Sequence, residues 1–281
     1  MFSKLRQTIA DAIVGVLNRE TTGYRPFTPS DKDTLLRTLR PGDVLLVEGN
    51  QKVSAGIKYL TQSTWSHAAI YVGDALADRP CDELYCDPEA ENAQSADTRH
   101  RFVEMLVKPG CISVPLEKYE NFNTRICRAV NLTPDDRDAV VAFAISKLGL
   151  KYDMRNIFDL ARYLIPRPPV PTRFRRKMLA FGSGDPTKAI CSTMIAQAFQ
   201  SIRYPILPNI EDRGTVPAAS SLYSRDLILH IRHHSLFTPR DFDVSPFFEI
   251  VKPTLESGFD YKRINWAPSP VESGPDGVNT P

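Results

Sequence analysis

At 281 residues, with 42% hydrophobic and 24% charged side chains, the chain is long enough for one well-buried core with trimmings and has the composition of an ordinary soluble domain. Thirty-five basic residues against 33 acidic ones leave a net charge of +2, which gives no global reason to expect nucleic acid as a partner. Five cysteines are an odd set in a chain too large to need disulfide stapling, so at least one is free unless chains pair.

At the N-terminus, Phe2, Leu5, Ile9, Ile13 and Val16 recur at spacings of three and four, the stripe of an amphipathic helix over residues 1–20. Asp11 interrupts the apolar stretch and no small-residue cleavage site follows, so a signal peptide is not expected. No run approaches the roughly eighteen apolar residues that a membrane span needs. The expectation is a cytoplasmic protein, with the helix packed on its own domain or lying on a membrane surface through Lys4 and Arg6.

Pro41, Gly42 and Asp43 form a turn signal, and Val44 to Val47 then reads as a short buried strand. Ile57 and Leu60 predict a short helix ending near Thr61. Ser66 to Gly73 combines β-branched and aromatic residues with a closing glycine, a central strand with His67 at its start. Residues 74–100 lack periodicity and read as an exposed insertion. Arg101 to Leu106, Ile112 to Val114 and Arg125 to Val130 predict further strands, which in succession suggest an antiparallel meander.

Thr133 opens a helix with a capping hydroxyl, Pro134 in the first turn, and Asp135 and Asp136 where the helix dipole favours carboxylates; Gly149 closes it. Ile157, Leu160, Ala161 and Leu164 predict a second helix stopped by Pro166. Residues 165–189 are a Pro-, Gly- and Arg-rich loop whose cluster Arg173, Arg175, Arg176 and Lys177 is either solvated or placed to meet an anionic substrate group. From Cys191 to Ile202, the positions Ile195, Ala198, Phe199 and Ile202 share a helical face, with Cys191 at its beginning. Beyond Pro205 the chain reads as irregular, with strands expected near Phe247 to Val251 and Tyr261 to Trp266, and residues 267–281 as a disordered tail. The division expected is residues 1–38 as helix and linker, 39–205 as a catalytic domain with insertions at 74–100 and 165–189, 206–266 as a packed extension, and 267–281 as the tail.

A thiol becomes a nucleophile when a neighbouring imidazole takes its proton and a helix N-terminus favours the resulting charge. Cys191 has the second by position, and the unpaired first-turn amides there can also hold an oxyanion. His67, at the edge of a strand, is where a nucleophile could approach it. Glu104 sits between apolar neighbours: it is either a solvent-facing position of an alternating strand or a carboxylate with a buried partner. Zinc is not expected at Cys81 and Cys86, which lack two further ligands at comparable spacing, and His230, His233 and His234 have no matching Cys or Glu. No phosphate-cradling glycine loop is present, so no nucleotide cofactor is implied.

Pro41 to Val47, Trp65 to Gly73 and Cys191-Ser192 together resemble the permuted NlpC/P60 family of papain-like proteins, in its YiiX/YebB-like branch. The resemblance covers roughly residues 39–205. It implies an α+β, circularly permuted papain-like fold in which an antiparallel sheet or small barrel packs on the cysteine-bearing helix. It also implies a cysteine hydrolase without cofactor or metal, in which Cys191 attacks, His67 is the base and Glu104 orients it. Trp65, Ser66, Tyr71, Tyr152 and Ser192 are expected to shape the substrate site. The substrate implied is a small molecule, a peptide of cell-wall type or an acyl lipid, with acyl transfer or a non-catalytic binding module as the alternatives.

Overall fold

The computed structural model describes residues 19–20, 24–26, 32–79, 85, 99–106, 109–151, 190–211, 228–230, 232–253, 258 and 260–263. The expected N-terminal helix, the 157–164 helix, the Arg173 to Lys177 cluster, Cys81, Cys86 and the tail lie outside them.

A short helix α1 (Lys32–Thr38) leads into β1 (Val44–Val47), α2 (Lys52–Thr61) and β2 (His67–Gly73). β3 (Arg101–Met105), β4 (Cys111–Pro115) and β5 (Thr124–Ala129) follow, then α3 (Pro134–Ser146) and α4 (Ile190–Ser201). A small pair β6 (Asn209–Glu211) and β7 (Ile228–His230), helix α5 (Pro239–Asp243) and β8 (Phe248–Val251) complete the chain. Six strands form one antiparallel sheet in the order β4-β3-β2-β1-β5-β8.

The Pro-Gly-Asp turn explains itself in the structure. Gly42 sits at φ +89°, a conformation that costs a side-chain-bearing residue about 1–2 kcal/mol. Buried Asp43 then accepts from Arg128 Nε and Nη2 at 2.9 and 2.7 Å and from the Arg40 backbone at 2.8 Å, fixing the entry to β1 against β5.

Only the first four strands are a meander. β5 does not add beside β4; it returns to pair with β1 (Val44 opposite Cys127), so the simple meander expected from sequence is corrected. The segment between β4 and β5 makes a 3-10 turn, Leu116–Tyr119, and buries Leu116 and Tyr119 against Leu45, Ala69 and Phe102 beneath the sheet. Burying that apolar pair carries the chain across the sheet face to its other side.

Strand alternation divides the core in two. Val44, Leu46, Ala68, Ile70 and Val72 face α3 and α4, where Ile195, Ala198 and Phe199 meet them; Leu45, Val47, Ala69, Tyr71 and Phe102 pack on the other face. Phe199 is fully buried in an aromatic cluster with Tyr204, Phe242 and Phe248, at ring separations of 5.6, 6.5 and 5.1 Å.

Thr133 accepts from Asp136 N at 3.2 Å with Pro134 in the first turn, as its pattern predicts. The strand expected over Tyr261 to Trp266 is not formed where the chain is described: Asp260 accepts from the backbone N of Lys262 and of Arg263, closing a 3-10 turn at Tyr261–Arg263. A local side-chain acceptor outcompetes extension there. β8 forms where Phe247 to Val251 predicts a strand.

Candidate active site at the sheet rim

The site begins with how β2 is entered. Ser66, 3% exposed, accepts from Gly49 N at 3.0 Å while its own N donates to Val47 O, pinning the turn that delivers the chain into β2. His67 is therefore the first residue of a strand whose start is held from both sides. It pairs with Val47, at the rim of the sheet, and its side chain is 19% exposed.

Glu104 lies on β3 opposite Ala69, diagonal to His67 and on the same face. It is completely buried and fully partnered. Its Oε2 receives the His67 ring at Nε2 (2.5 Å) and the Tyr119 hydroxyl (2.6 Å), while Oε1 receives Lys118 Nζ (2.5 Å). Both Lys118 and Tyr119 come from the 3-10 turn that crosses this face. Burial alone would raise the carboxyl, but the Lys118 charge and the His67 hydrogen bond hold it well below the usual carboxylate range.

An ionised carboxylate accepts only, so the His67 Nε2 that faces it carries a hydrogen and leaves Nδ1 for another partner. Cys191 lies close enough to the ring to act on its charge. Burial would depress the imidazolium; the facing sulfur and then Glu104 outweigh it and raise His67 from 6.5 to about 10. Cys191 is the second residue of α4 and 5% exposed. Glu104 and Cys191, both named from sequence, are the groups that act on the His67 ring, the first through a hydrogen bond and the second through its charge.

The other thiols differ in kind. Cys111 and Cys127 are buried within strands; burial, with the Glu104 charge adding, pushes Cys111 up to about 12, and burial also raises Cys127. Cys111, Cys127 and Cys191 are all free.

The remaining expected site residues separate. Trp65 is beside an open cleft of about 590 Å³ lined also by Glu48, Lys58, Arg125, Arg240 and Asp243, at the end of the sheet where β2 begins. Its indole donates to Asp243 at 3.1 Å, and Arg125 stacks 4.9 Å over its ring while bonding the same Asp243. Tyr71 is buried on the Glu104 face, four residues beyond His67 along β2, with its hydroxyl on His100 Nδ1. Ser192 is buried and donates to Phe237 O at 2.7 Å, which ties α4 to the C-terminal segment. Neither side chain lines this cleft. Tyr152 lies outside the described residues.

Sequence reading missed Lys118 and Tyr119. Their only signal was a basic and an aromatic residue just after a strand, which is indistinguishable from a solvated turn. Among the described residues no group of three or more His, Cys, Asp or Glu side chains is placed to hold a metal ion. His233 and His234 lie ring to ring at 4.1 Å. Also among the described residues, no helix is long and apolar enough to cross a membrane.

No family model matches the chain. The metalloprotein YiiX from Escherichia coli O157:H7, known from a crystal structure, aligns with 76% of this chain and 97% of its own at 13% identity and a TM-score of 0.41. The probable lipoprotein peptidase YaeF of Escherichia coli (strain K12) is 23% identical over 212 residues, spanning 70% of this chain and 67% of that protein, so the chain is similar, at this distance, to a protein named for peptidase activity.

Proposed function

We propose that this chain is a thiol hydrolase of the circularly permuted NlpC/P60 type, cleaving an amide bond in a polar, peptide-like substrate. What supports the reading is the juxtaposition of Cys191, His67 and Glu104, with Glu104 2.5 Å from the imidazole and Cys191 near enough to act on its charge. His67 takes the Sγ proton as sulfur attacks the carbonyl carbon and a C–S bond forms. The negative oxygen that develops is met by backbone N–H groups at the start of α4. His67 then returns its proton to the leaving nitrogen as the C–N bond breaks. Water attacks the thioester, giving its proton to His67, and C–S cleavage frees the acid. Glu104 keeps the ring in one tautomer and balances its positive form.

Two observations support an amide of polar character over an acyl lipid. The cleft beside Trp65 is lined by charged side chains rather than by an apolar wall, and the related YaeF is named a probable lipoprotein peptidase. Release by a nucleophile other than water would turn the same chemistry into acyl transfer.

The reading is tested by alkylating the native protein with iodoacetamide at pH 6 and following each cysteine by peptide mass spectrometry. Cys191 is expected to react fastest, at least tenfold ahead of Cys111 and Cys127, and to lose that lead in His67→Ala. Equal rates at the three thiols would refute the nucleophile. Hydrolysis of a panel of peptide amides and acyl esters, abolished in Cys191→Ala, then identifies the bond.

A further inference from the structure

Glu104 has a partner that a nucleophile, base and orienting acid do not require. Lys118 Nζ stands 2.5 Å from Oε1, while His67 and Tyr119 occupy Oε2. Lys118 comes from the crossing turn Leu116–Tyr119, whose backbone is anchored by burial of Leu116 and Tyr119, and its side chain is 25% exposed. It does not line the cleft described above.

We propose that Lys118 is a positioning residue of the site: by neutralising Glu104 from the side opposite His67, it limits how tightly the carboxylate holds the imidazolium. The inference rests on the reading of His67 as the acid and base. In the charged form the groups alternate in sign, Cys191 negative, His67 positive, Glu104 negative and Lys118 positive. Without Lys118 the three remaining charges leave one buried negative in excess, which is costly in a low-dielectric interior. The imidazolium would then be the sole counter-charge of Glu104 and would part from its proton less readily. A base that does not release its proton cannot protonate a leaving amine. Lys118 therefore serves turnover through the second half of the proton's journey.

Among the described residues, the charged and titratable groups that meet this row belong to five elements. His67 is on β2, Glu104 on β3, Lys118 and Tyr119 on the crossing turn and Cys191 on α4; Cys111, on β4, also feels the Glu104 charge. Among the described residues, Lys118 is the cation that counters Glu104 beyond His67.

The experiment reads His67 by NMR titration of ring-labelled histidine, in a Cys191→Ser background so that no sulfur charge contributes. His67 is assigned by the signal lost in His67→Asn, and the other four histidines report that each variant is folded. Adding Lys118→Met is expected to raise the His67 midpoint by about one pH unit, the size of one charge acting through a carboxylate at partial exposure. Lys118→Arg, which keeps the charge, is expected to leave it in place. An unmoved midpoint in Lys118→Met overturns the proposal, as does an equal shift in both variants, which would mark a steric role. Should Lys118→Met not fold, Lys118→Gln carries the same expectation. Since the titration needs no reactive thiol, an unreactive Cys191 in the alkylation experiment would remove the hydrolase reading while leaving this measurement to decide the coupling separately.

Discussion

Replacing Glu104 by Gln removes one charge from a fully buried position while keeping its shape. The wild-type carboxylate accepts three hydrogen bonds, two of them from groups that carry or can carry positive charge, at 2.5 Å from His67 and 2.5 Å from Lys118. Removing one member of a buried pair costs about 3–5 kcal/mol. Lys118 is 25% exposed and can turn to water, so the lower end, about 3 kcal/mol, is expected. The pH dependence is a sharper check. Glu104 is held below its ordinary 4.5, so its contribution is full above that value and is lost as pH falls through the folded-state value. His67 is raised from 6.5 to about 10, so the part of its stabilisation that Glu104 supplies is full below 6.5 and is lost as pH rises toward 10. The difference between wild type and Glu104→Gln should therefore be greatest between pH 4.5 and 6.5 and decline on both sides. Urea denaturation followed by far-UV circular dichroism at pH 3.5, 5.5 and 9 measures it, with the midpoint at pH 5.5 falling by about 1 M for a urea dependence of about 3 kcal/mol per molar. A difference below about 1 kcal/mol at pH 5.5, or one that grows toward pH 3.5, would refute the buried ion-pair account.

Other perturbations test the frame that holds this row. Asp43→Ala leaves Arg128 without its paired carboxylate and should cost about 3 kcal/mol by the same urea assay. Gly42→Ala forces a Cβ into a φ of +89° with Arg137 Cγ 3.2 Å away, and a loss of about 1–2 kcal/mol is expected. Phe199→Ala empties the centre of the aromatic cluster and should cost about 3–5 kcal/mol, read as a fall in thermal midpoint. Trp65→Ala removes the indole between Asp243 and Arg125; once a substrate is known, KM should rise several-fold with kcat little changed if the cleft binds it, and an unchanged KM would place substrate elsewhere.

The strands of the six-stranded sheet and the two long helices were legible because their signals are local, whereas β6 and β7 fall in a stretch that reads as irregular. The apolar run with its closing glycine at His67 to Gly73 and the Thr133 cap belong to residues adjacent in sequence, and each forms where its pattern predicts. Pairing was less legible. That β5 joins β1 depends on Leu116 and Tyr119 finding an apolar face across the sheet, a contact between residues about 50 positions apart. α5 was overlooked although Thr238, Pro239 and Asp241 make a capping box, since the helix is five residues long and offers no periodicity. Lys118 was invisible for the same reason as the pairing: its partner lies 14 residues away on another strand, and a lysine after a strand carries no mark of burial.

The row itself depends on one geometric condition. Side chains of β2 alternate, with Ala68, Ile70 and Val72 facing α4 while Ala69 and Tyr71 face Glu104 and the crossing turn. Cys191 belongs to the first face and Glu104 to the second, so a histidine inside the strand would reach only one of them. His67 has the register of the Glu104 face but is the first residue of the strand, where the sheet ends and α4 begins close by. At such a rim one ring can bond a carboxylate beneath the sheet and still lie beside the helix that carries Cys191 above it. This gives physical meaning to the Ser66-His67 pair: the serine, bonded to Gly49 and Val47, fixes where the strand starts and so holds the histidine at the boundary between the two faces.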